Sequence, residues 1–185
     1  MSTFAQNLSF LLWQQELPRQ DWVAKVAELG KCSEARAERL LANGKPNLDE
    51  LRLLAEGFGR TEEELQFSNL LAESNVNIWQ ENVLYLLSTL KHGTNGRLAE
   101  ALGVSAGTVS KWKKREHLPE KIHQQKLREI FELHATDLQE EPLFLSPTPV
   151  DTFGRRMWLC ERIKEMDGKT LQSLFPALER LLKES

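Results

Sequence analysis

Residues 98–114, LAEALGVSAGTVSKWKK, decide how the chain is read. They describe two short helices joined by a tight turn. Ala99 is a small residue on the inner face of the first helix, where a second helix must approach closely. Gly103 stands where a helix ends in left-handed backbone, a conformation that glycine adopts without a Cβ clash. Ser105 then offers its side-chain oxygen as a cap for the next helix. Val109 and Trp112 lie three residues apart on one face and can seat that helix on a core. The opposite face presents Ala106, Gly107, Thr108, Ser110, Lys111, Lys113 and Lys114, all small, hydroxylated or basic.

A helix with such a face fits a DNA major groove about 12 Å wide and meets phosphates on both sides. Between Lys91 and Arg128 the chain carries nine Lys or Arg residues against only Glu100, Glu116 and Glu120. The small-Gly-apolar pattern of Ala99, Gly103 and Val109 resembles the helix-turn-helix of Cro/CI-type regulators, the xenobiotic response element family. The resemblance implies a lambda-repressor-like domain that binds double-stranded DNA and uses no cofactor. The expected contacts are Ser105, Ala106, Gly107, Thr108, Ser110, Lys111, Lys113 and Lys114, flanked by Arg97 and Arg115. The competing reading of the same residues is an ordinary helical hairpin with a solvated lysine face.

The chain of 185 residues is long enough for one or two small domains with real cores. At 41% hydrophobic and 28% charged residues it reads as globular rather than disordered. No apolar run approaches the roughly 20 residues that span a bilayer, and MSTFAQNLSF lacks a basic start and a long apolar stretch. The expectation is a cytoplasmic protein with no membrane partner. The net charge of −3 excludes a uniformly basic coat, so the distribution of charge carries the argument. Cys32 and Cys160 stand far apart with no CxxC pair, and both are expected to be buried structural thiols.

The sequence repeats itself. NLSFLL (7–12) resembles NVLYLL (82–87), 75 residues on. Ala27, Ser33, Ala37 and Leu40 correspond to Ala99, Ser105, Val109 and Trp112 at an offset of 72, and Pro46 matches Pro119 at 73. Five short helices with Gly or Pro between them fit the first half. Capping boxes are expected at Asn47 with Glu50 and at Thr61 with Glu64, and in the second half at Asn77 with Gln80. A short final helix through Leu138 is expected from Thr136 and Gln139. The expected architecture is therefore all-α. It comprises two tandem five-helix lambda-repressor-like domains (1–73 and 74–141), an extended linker (142–150) lying against a domain, and a C-terminal helical hairpin (151–185).

The copies differ in their outward residues. Ala106, Ser110, Lys113 and Lys114 become Glu34, Glu38, Leu41 and Ala42, and the turn glycine Gly103 becomes Lys31. The first turn is accordingly expected to differ in shape. Carboxylates repel a phosphate backbone, so the first copy is expected to bind DNA weakly or not at all, with Arg36 and Arg39 as secondary candidates.

In the tail, Phe153, Met157, Trp158, Cys160, Ile163 and Met166 are expected on an inward face. Gly168 should close the first helix, and Pro176 should kink or break the second. A hairpin this short cannot cover its own apolar face, which points to packing on the tandem domains or to a homodimer formed through the hairpin.

The leading function is a sequence-specific, repressor-like regulator of transcription. The alternative is a protein-interaction module, such as an antitoxin or adaptor, that uses the same fold to bind a protein. His117, His123 and His134 lack ligand spacing and are read as surface or partly buried side chains. No nucleophile-base pair, metal spacing or phosphate loop is evident, which disfavours an enzyme.

Overall fold

The computed structural model describes residues 2–90, 95–133, 136–150 and 152–183, which form eleven α-helices and no strand. The helices are α1 (Thr3–Gln14), α2 (Trp22–Gly30), α3 (Glu34–Ala42), α4 (Leu48–Phe58), α5 (Glu62–Phe67), α6 (Ile78–Thr89), α7 (Asn95–Leu102), α8 (Ala106–Lys113), α9 (His123–Ile130), α10 (Thr152–Glu165) and α11 (Gly168–Lys183). Single 3-10 turns occupy Arg19–Asp21 and Leu143–Leu145. No helix among the described residues is long and apolar enough to cross a membrane.

Polar side chains set the helix starts. Ser2, Ser33, Asn47, Thr61, Asn77 and Ser105 each accept a hydrogen bond from an amide in the first turn of the helix that follows. Asn47 with Glu50 and Thr61 with Glu64 form complete capping boxes. Asn77 accepts from the Gln80 amide, which makes half of the expected box.

α1 packs on α3 and α5, and α2 on α3 and α4. They enclose a core that includes Leu8, Phe10, Leu12, Trp22, Val26, Leu40, Leu54 and Leu65. α7 packs on α8 and α9, and α6 on α8, around Val83, Leu86, Leu102, Val109, Trp112 and Leu127.

The two units share an internal clamp. Asn7, 1% exposed, donates from Nδ2 to the carbonyls of Glu64, Leu65 and Ser68, and its Oδ1 accepts from the Leu70 amide. Asn82 does the same 75 residues later. Its Nδ2 donates to the carbonyls of Leu138 and Glu141, both at 2.7 Å, and its Oδ1 accepts from the Phe144 amide at 3.3 Å. Each asparagine ties the first helix of its unit to the end of that unit, where peptide groups would otherwise be buried without partners.

The second unit is not a full copy. The chain forms a turn over Leu138–Glu140, where a fifth helix was expected. Asp137, rather than Thr136, organises it. Its side chain accepts from the Gln139 amide and its carbonyl accepts from the Glu141 amide.

Residues 143–145 are likewise a 3-10 turn rather than an extended linker. They lie against both units: Leu143 joins the second core, whereas Phe144 and Leu145 join the first. Phe144 meets Trp13 edge to face at 5.0 Å. Arg19 closes the junction, donating to the carbonyls of Ser146 and Leu143 and lying 4.0 Å from the Tyr85 ring centre.

The C-terminal helices depart from expectation. Asp167 caps α11 by accepting from the Lys169 and Thr170 amides, so Gly168 opens α11 instead of closing α10. α11 passes through Pro176 without a break. Pro176 is exposed, so the carbonyl that loses its partner there can turn to water. Trp158 and Ile163 each remain 37% exposed and Cys160 is exposed, while Met166 is half-buried. The side chains of Phe153 and Met157 lie outside the described residues.

Asn82→Ala strands the Leu138 carbonyl and the Phe144 amide where the two units meet, while the Glu141 carbonyl keeps its bond from the Leu143 amide. We expect it to lower the unfolding free energy by about 3 kcal/mol, read by urea denaturation, and to speed amide exchange at Phe144. A loss below about 1 kcal/mol with unchanged exchange would contradict the clamp.

Candidate nucleic-acid interface

α8 is held in place from beneath. Val109 is fully buried and Trp112 is 3% exposed, with the Trp112 ring 5.5 Å from that of His123. Ser105 Oγ accepts from the Thr108 amide at 3.0 Å. The buried Trp79 donates from Nε1 to the Pro119 carbonyl at 2.7 Å, which pins the loop leaving α8. Ala99 is buried on α7 at the helix crossing, as its size requires.

Of the expected contact residues, Ala106, Gly107, Ser110, Lys111, Lys113 and Lys114 share the exposed outer face of α8, and Ser105 and Arg97 are exposed beside it. Thr108 is set apart. It is half-buried, and its hydroxyl lies 2.9 Å from Ser105 Oγ, where it completes the cap. Arg115 is also engaged. Its Nε and Nη2 donate to the two carboxylate oxygens of Glu81 at 3.1 and 2.7 Å, which raises its already high pKa. That fork ties the end of α8 to α6. Lys114 lies 3.9 Å from Glu116, an exposed pair of little energetic weight.

The equivalent face of the first unit is built differently. α3 buries Ala37, Leu40 and Leu41 and exposes Glu34, Ala35, Arg39 and Ala42, with Glu38 half-buried. Arg36 donates to both oxygens of Glu50, at 2.8 and 2.7 Å, and to the Lys45 carbonyl. The Arg36 guanidinium holds the Glu50 carboxyl below the usual carboxylate range, against the opposing effect of burial. Arg36 is thus committed to the loop between α3 and α4. Arg39 is exposed, with Nε donating to the Ala35 carbonyl.

The turns before α3 and α8 have the same shape, contrary to the expectation drawn from Lys31. Lys31 (φ 47°) and Gly103 (φ 74°) both adopt left-handed backbone. The Cys32 amide donates to the Ala27 carbonyl at 3.1 Å, and the Val104 amide to the Ala99 carbonyl at 2.9 Å. Packing of the flanking helices imposes the turn, and lysine bears the strain. The pattern recurs in reverse after α4 and α9, where Gly59 (φ 62°) and Glu132 (φ 55°) fill equivalent left-handed positions.

Cys32 beside this turn is half-buried, and burial pushes its thiol pKa up. With Cys160 exposed, neither cysteine is fully buried as expected. His117 is exposed and His123 half-buried, while His134 and the residues 91–94 that precede α7 lie outside the described residues. Among the described residues no group of three or more His, Cys, Asp or Glu side chains is placed to hold a metal ion.

Sequence reasoning missed both Arg–Glu forks and Lys126. Lys126 Nζ donates to the Leu102 carbonyl at 3.3 Å and so caps the end of α7 next to the turn. These partners are 14, 34 and 24 residues apart, beyond any helical spacing that would have paired them.

No family model matches the chain, and neither a curated protein nor a solved structure matches it.

The shared turn geometry makes a paired prediction. Lys31→Gly should stabilise the protein by about 1 kcal/mol and Gly103→Lys should destabilise it by a similar amount, both measured by thermal or urea unfolding. A Cβ at Gly103 would meet only Lys126 Nζ, at 3.7 Å, so the expected cost lies in the backbone. Unchanged stability in both variants would contradict the strain assigned to Lys31.

Proposed function

We propose that this protein is a sequence-specific, repressor-like regulator of transcription that acts in the cytoplasm. In this reading α8 enters the major groove of double-stranded DNA and provides most of the readout. The observation that carries the proposal is the outer face of α8. With Val109 and Trp112 turned to the core, that face holds small, hydroxyl and lysine side chains and no carboxylate. Short side chains at Ala106, Gly107 and Ser110 let the helix approach base edges, while Lys111, Lys113 and Lys114 lie within reach of phosphates. The Cro/CI-type resemblance of residues 98–114 supports the same reading.

A single groove helix buries little area, so paired half-sites are needed for useful affinity. We assign the pairing to the C-terminal hairpin, forming a homodimer, because Ile163, Leu174 and Phe175 stay exposed there. A role in binding protein rather than DNA is favoured for the first unit alone. Its α3 places Glu34 and Glu38 where α8 has Ala106 and Ser110.

Replacing Lys111, Lys113 or Lys114 by Ala tests the phosphate contacts. Each variant should weaken binding to all duplexes alike and make the dependence of log K on log salt shallower by about 0.9 per lost contact. An unchanged slope in all three would overturn the reading.

A further inference from the structure

The outward face of α3 meets the chain's own tail. Glu38 forms an ion pair with Nη2 of Arg162 on α10, 124 residues away, and the side chains of both are 39% exposed. The Arg162 guanidinium also lies 5.5 Å from the Trp158 ring centre, so the cation is held between an acidic and an aromatic group. At helical spacing, Arg155, Trp158, Leu159, Arg162 and Met166 share one face of α10. On α3, Glu34, Ala35 and Ala42 surround Glu38 at i±3 and i±4. The ion pair thus links an acidic face edged by small residues, on α3, to a basic and apolar face of α10.

We propose that α3 is a docking surface for α10 of the same chain. The C-terminal hairpin then occupies, on the first unit, the face equivalent to the proposed DNA-reading face of the second. That equivalence rests on the proposed function, whereas the docking itself does not. Charge complementarity selects the occupant: Glu34 and Glu38 repel phosphate and attract Arg155 and Arg162. Small residues at 35 and 42, both exposed, leave room for α10 to come closer to α3 than the ion pair alone brings it. The arrangement gives a physical reason for the divergence of the two copies, because the residues that disfavour DNA on α3 are those that receive the tail.

Cysteine cross-linking in the full chain tests this without DNA, so its failure would be distinguishable from failure of the DNA reading. With Cys32→Ser and Cys160→Ser as background, Leu159→Cys is paired with Ala35→Cys or Ala42→Cys on α3, or with Gln125→Cys on α9 as a control. A short bismaleimide should link either α3 pair several-fold faster than the control, with products of monomer mass. Glu38→Lys or Arg162→Glu should each slow the reaction by about fivefold, and the two together should restore it. Rates equal to the control, insensitivity to both charge reversals, or products mainly of dimer mass would overturn the proposal.

Discussion

The side chain of Asn82 fixes more of this molecule than its size suggests. Its amide group spans the carbonyls of Leu138 and Glu141 and the amide of Phe144, so α6 is bound to the end of its own unit. The same bonds place the turn 143–145, which puts Leu143 into the second core and Phe144 and Leu145 into the first. Arg19 then binds the two carbonyls that bracket the turn. One buried amide thus sets where the second unit ends and how the two units meet. A hydrocarbon of equal volume would pack there but would leave the Leu138 carbonyl and the Phe144 amide without partners.

The units also show how far a fold can dictate a residue's conformation. Left-handed backbone is found at Lys31 and Glu132 as well as at Gly103 and Gly59. In each pair glycine fills the position in one unit and a charged residue in the other, yet the hydrogen bonds closing the turn are the same. The angle between two packed helices leaves the connecting residue one conformation, and a cost on the order of 1 kcal/mol is small against the burial it permits. Glycine at such a turn indicates comfort rather than necessity. For that reason the substitution at position 31 misled the reading of the first turn.

Local chemistry was the legible part. Caps at Ser33, Asn47, Thr61 and Ser105, the buried faces of α3 and α8 and the all-α class follow from short-range patterns, in which a residue's partner lies three or four positions away. Side chains committed over longer separations were not legible. Arg36 and Arg115 read as free cations until Glu50 and Glu81 were brought to them by folding. What covers the tail was not legible for a related reason. An apolar stripe announces that a helix has a buried side but not what buries it, and within one chain Trp158, Leu159 and Phe175 remain exposed. The repeated asparagine in NLSFLL and NVLYLL was visible in the sequence, although its role emerged only from the carbonyls around it.

We propose that α8 of the second unit reads base sequence, in a dimer. Selection of bound duplexes from a random pool, carried out with the wild-type chain and with Ser110→Asn, tests it most directly. The expected result is an enriched motif of two inverted half-sites about one helical turn apart, changed at one position of each half-site by the asparagine, which favours adenine. A pool without an enriched motif, or a motif identical for the two proteins, would contradict it.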